Sequence, residues 1–144
     1  MAPRGKATVG EVGVTMTSYF AKAASNSRLM RVRTKIAEDF ATAFERFDYL
    51  VTPTSPTVAF ELGARAENPL AMYMSDYCTV PMPLAGLPAI SIPAGLAQPD
   101  GGGPELPVGL QLVSPAFGES GLLDAAHAIE GAIGFDARPV GAAG

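Results

Sequence analysis

The chain has 144 residues, 48% of them hydrophobic and 17% charged, with a formal charge of −4. A folded chain of this length buries roughly 70% of its unfolded surface, so one domain with a real core is expected. The composition is too apolar for a disordered polymer, and its acidic balance excludes a basic field able to neutralise a nucleic-acid backbone.

Met1 to Val14 has no hydrophobic period and is expected to form a poorly ordered start. Leu29, Val32, Ile36, Phe40, Phe44 and Phe47 then recur every three or four residues, which predicts an amphipathic helix with Arg31, Arg33, Glu38 and Glu45 on its polar face. Helix-forming residues back to Thr17 are compatible with one long helix or two short ones. Tyr49, Leu50 and Val51 predict a short strand buried on both faces, ended by Pro53 and Pro56. After the polar loop "ELGARAENP", Asn68 and Pro69 form a cap and first-turn pair for a helix through "LAMYMSDYC". In that helix Met72 and Asp76 share a face, with Thr79 and Pro83 following if the helix continues.

Leu70 to Ala97 is long enough for a membrane span, but Pro81, Pro83, Pro88, Pro93 and Asp76 make a buried segment of a soluble fold the expectation. "AISIPAGL" and "PVGLQLV" predict two antiparallel strands joined through Gly101, Gly102, Gly103 and Pro104. Leu122, Ala126, Ile129 and Ile133 place a last helix against the core, with Glu119 at its favourable end and Gly131 and Gly134 weakening the other. The order helix–strand–helix–strand–strand–helix predicts an α/β fold, a mixed sheet flanked by helices.

Chemistry-bearing signals are sparse: one histidine, one cysteine, and no serine-hydrolase or metalloprotease motif. His127 fits a structural or surface role, Cys78 a small core residue, and the triple glycine a plain loop, because no Lys-Ser/Thr pair or helix follows it. The lone cysteine and the missing secretory signal favour the cytoplasm. Asp76 is the one acid in an apolar stretch, and a buried carboxylate must find partners. Either the protein's own donors bind it, or a cleft leaves it for a cationic substrate group. An ammonium about 4 Å away gains roughly 4 kcal/mol at an effective dielectric near 20, before desolvation.

"FDYLVTPTSPTVAF", "ENPLAMYMSDYCTVPMPLAGLPAISIPAGL" and "LPVGLQLVSPAFGESGLLDAAHAIE" together resemble the carboxyl-terminal part of the amidase signature family, in the branch of the tRNA-dependent amidotransferase A subunits. The resemblance divides the chain into a poorly matched extension, residues 1–27, and the carboxyl-terminal part of an amidase domain, residues 28–140. It implies part of an α/β/α sandwich, in which a serine, a bridging serine and a lysine hydrolyse glutamine and pass ammonia on for transamidation of misacylated Glu-tRNA(Gln) or Asp-tRNA(Asn). It also implies that Asp76 holds the α-amino group of glutamine. The catalytic serines and lysine belong to an amino-terminal portion that nothing here matches, so no catalytic residue is assigned and this chain alone is expected to be inactive. B and C subunits are the implied partners, with ATP and magnesium acting only on one of those partners. Another amidase specificity, for aryl or aliphatic amides, or a non-catalytic interaction module exposing an apolar patch, are the alternatives.

Overall fold

The computed structural model describes residues 26–136; the expectations for the first 25 residues lie outside them. Helix α1 spans Asn26–Phe44 and buries Ile36 and Phe40, with Val32 and Phe44 packed beside them. The periodic stripe therefore folds as its spacing requires, except at its ends. Leu29 is exposed, and the helix stops three residues before Phe47. There the Phe47 N–H donates to the Ala43 carbonyl at 3.1 Å, and the closing turn brings the Phe47 ring back onto the same core.

Three strands form the described sheet: β1 (Leu50–Pro53), β2 (Ala89–Ala97) and β3 (Leu106–Val113), in the order β1-β3-β2. Both pairings are antiparallel, so the described part of the expected mixed sheet contains no parallel pair. The β2–β3 hairpin follows from its turn chemistry, with Gly102 and Gly103 at positive φ near its tip. Pro93 lies in an edge strand, where a missing N–H is tolerated, and the register shifts between Pro93 and Gly95.

Alternation along the strands sorts the core into two layers. Leu50 and Val113 face α1, together with Met82. Val51, Ile90, Ile92 and Leu112 face the opposite way, onto Leu122 and Ala126 of helix α4, Glu119–Ile133. Helices thus cover both sides of the sheet, giving the α/β/α layering. Each fully buried aliphatic or aromatic side chain contributes roughly 1.5–3 kcal/mol to this arrangement. Helix α4 ends at Gly134, whose φ of 63° is the left-handed cap conformation.

Residues 69–85 depart from the expectation in two ways. In place of one helix ended by prolines, two short helices form: α2 (Pro69–Ser75) and α3 (Pro81–Ala85). Asn68 caps α2 as its sequence predicts, accepting from the Ala71 N–H at 3.1 Å. Asp76 ends it, and its carbonyl then accepts from both Thr79 and Val80 N–H groups at 3.0 Å, which turns the chain. Pro81 opens the next helix because its missing N–H costs nothing in a first turn. Nor is the segment buried throughout. Leu70 is 70% exposed and Tyr73 77%, with Met72 and Met74 also exposed, and burial begins only at Pro81 and Met82. The sheet row nearest the α2–α3 turn carries Thr52, Gln111 and Ser91, which offer no apolar surface to cover.

Candidate functional site

Asp76 caps the carboxyl end of α2 with φ −94° and ψ 7°. Its backbone N–H is used within the helix end and its carbonyl in the following turn. Its side chain is exposed, and among the described residues it has neither a hydrogen bond nor an ion pair. The carboxylate stands at the negative end of the helix dipole, where it adds nothing to helix stability. The structure thus places Asp76 at the surface and not in the apolar burial that its sequence context suggested.

The turn that carries it is tied to the sheet by Gln111. This side chain is buried, and its Nε2 donates to the Cys78 carbonyl at 2.8 Å and to Thr52 Oγ1 at 2.9 Å. Both amide donors are thereby satisfied, which a buried amide requires. The side chain's orientation follows from chemistry, since a carbonyl oxygen facing the Cys78 carbonyl would repel it. Sequence reasoning does not single out Gln111, although one polar residue at an inward position of "LPVGLQLV" is the available signal.

Two residues back along β3, Gly109 lies below a contact between Thr54 Oγ1 and Ser91 Oγ. A Cβ at Gly109 would stand 2.6 Å from Ser91 Oγ and 2.7 Å from Thr54 Oγ1, so Ser91 of β2 and Thr54, one residue past β1, share a hydroxyl hydrogen bond across the middle strand only because this residue lacks a side chain. These groups border a cleft of about 690 Å³ between the 53–60 loop and the β2–β3 hairpin. Arg65 lines it, with its guanidinium 3.9 Å from the Phe60 ring centroid.

The remaining sequence candidates sit apart from these groups. His127 is exposed on α4, as a surface histidine should be. Cys78 is half-buried, and burial pushes its thiol up from the ordinary value, which disfavours the reactive thiolate. The triple glycine forms the exposed hairpin tip and opens no helix. Among the described residues no group of three His, Cys, Asp or Glu side chains is placed to hold a metal ion, and no helix is long and apolar enough to cross a membrane.

Helices on both faces of a sheet whose central strand reads "LPVGLQLV" are shared with a family of known proteins. A profile of the Amidase family matches residues 3–123, and the chain belongs to that family. Similar proteins include the A subunit of glutamyl-tRNA(Gln) amidotransferase from Moorella thermoacetica, 54% identical over 113 residues, covering 78% of this chain and 21% of the relative. Its namesake in Parvibaculum lavamentivorans is 49% identical over 122 residues, covering 85% and 23%. The chain therefore spans about a fifth of the length of these curated relatives, in their carboxyl-terminal part. Among solved structures, the S177A form of Kluyveromyces lactis allophanate hydrolase superposes with a TM-score of 0.53 at 24% identity, covering 71% of this chain and 16% of that one, which supports the fold.

Proposed function

We propose that this chain is the carboxyl-terminal portion of a glutamine-hydrolysing amidase, one that supplies ammonia for transamidation of misacylated Glu-tRNA(Gln) or Asp-tRNA(Asn). Its own contribution is scaffold and substrate recognition. The observation that carries this reading is the Asp76 carboxylate, exposed and without a partner among the described residues, in a segment resembling the A subunits. An acid at a helix carboxyl end lacks a stabilising role there, whereas a substrate ammonium would neutralise both the carboxylate and the helix terminus. Glutamine supplies that ammonium.

In this reading the serine–serine–lysine machinery comes from an amino-terminal amidase portion, which completes the sheet and covers the apolar side chains of α2. The B and C subunits complete the enzyme in the cytoplasm, and ATP and magnesium act on one of those partners. The chain alone hydrolyses no amide. The test is reconstitution with the amino-terminal portion of the Moorella relative, followed by glutaminase kinetics. Asp76→Asn is expected to raise the KM for glutamine by about tenfold to a hundredfold, the loss of one charge-assisted hydrogen bond of roughly 1.5–3 kcal/mol. An unchanged KM, or glutamine turnover by the 144 residues alone, refutes the proposal. Hydrolysis of simple amides with glutamine ignored would assign the chain to another amidase specificity.

A further inference from the structure

The cleft beside β3 has a feature that the proposed glutamine contact does not use. Arg65 is half-buried and held in a fixed plane: Nη2 donates to Thr57 Oγ1 at 3.2 Å, Nη1 donates to Ser75 Oγ, and the guanidinium stacks on Phe60. Hydroxyl oxygens and an aromatic face orient the group but leave its charge uncompensated. Among the described residues no carboxylate pairs with it. A guanidinium has five N–H donors, and these two bonds occupy two of them. The remaining N–H donors are therefore left for water or a ligand.

The surroundings form an open groove. A volume of about 690 Å³ falls in the range of ligand clefts, and Pro53 and Pro107 give it apolar walls. At its floor the bare Cα of Gly109 exposes the Thr54–Ser91 hydroxyl pair. That pair shares one proton in its mutual bond, so one O–H is left to donate elsewhere. Asp100, on the hairpin tip, also lines the cleft and disfavours a multiply charged anion.

We propose that this cleft binds the oxyanion of a small molecule through the Arg65 fork, with a hydroxyl of the Thr54–Ser91 pair as a second donor. Carboxylates and phosphates share this chemistry, and Asp100 favours a singly charged carboxylate. Asp76 is not among the lining residues, so this proposal and the glutamine contact fail independently.

The experiment titrates the 144-residue chain with sodium butyrate and, separately, with inorganic phosphate at constant ionic strength. Binding is followed through the amide NMR signals of Thr54, Ser91 and Gly109 and the Arg65 Nε–H signal. Saturable shifts are expected, with butyrate binding more tightly than phosphate. Arg65→Gln is expected to weaken binding by about tenfold or more, and Arg65→Lys, which keeps the charge but loses the fork, by an intermediate factor. Because Arg65 also ties Thr57 to Ser75, Asp100→Asn provides a variant that spares the loop. It is expected to narrow the preference for butyrate over phosphate. Shifts that stay linear with concentration, or equal affinity in Arg65→Gln, overturn the proposal.

Discussion

The two ends of β3 make opposite uses of the same strand. At the Leu112–Val113 end both side chains are fully buried, one against α4 and the other against α1, within apolar clusters. At the Gly109 end the inward position has no side chain, the flanking strands offer hydroxyls, and a cleft opens above them. Between them, Gln111 belongs to neither pattern, because it is buried for the sake of two hydrogen bonds. Stability is concentrated where the strand is sealed on both faces, and recognition chemistry is available where it is not.

Substitutions at the two ends test this contrast. Leu112→Ala is expected to have the largest effect, a loss of about 2–5 kcal/mol of unfolding free energy in urea, because its site is closed on every side. A loss below about 1 kcal/mol would mean that the sealed end is not the stability core. Gly109→Ala comes next, at about 1–3 kcal/mol, since its Cβ must displace two hydroxyl groups. Adding Ser91→Ala should recover part of that loss, and additive destabilisation in the double variant would show that the clash is not the cause.

Away from β3, Asn68→Ala is expected to cost about 1 kcal/mol by removing the cap of α2. Hydrogen exchange should speed up in α2 before it does in β3. The smallest effect concerns Cys78. Its folded-state pKa is raised, so the unfolded chain releases the thiol proton first, and stability falls as pH rises through the ordinary thiol range. Wild type should therefore lose slightly more thermal stability than Cys78→Ala between neutral and alkaline pH; parallel curves would contradict the burial of this thiol.

How far the sequence reveals the fold differs between the same regions. The hairpin, the α4 face and the Asn68 cap rest on local rules, namely turn glycines, helical spacing and a side chain bonding three residues ahead, and all three appear as expected. The α2 segment misleads because its composition is apolar while its setting is not. Whether Leu70 and Tyr73 are covered depends on what the opposing surface offers, and no period in the segment encodes that. Arg65 escapes notice for a related reason. Within "ELGARAENP" it reads as one more charge in a polar loop, and its contacts with Thr57, Phe60 and Ser75 exist only after the chain has folded back. Asp76 is conspicuous as a lone acid, but its exposure is visible only in three dimensions.

The Gln111 amide has a consequence for that acid. It moors the Cys78 carbonyl, two residues past Asp76, to the centre of the sheet, while α2 itself buries no side chain. The whereabouts of the carboxylate thus depend on a strand residue that never touches it. A Gln111→Leu change would cut the mooring line, leaving the acid chemically intact but free to drift from its present position.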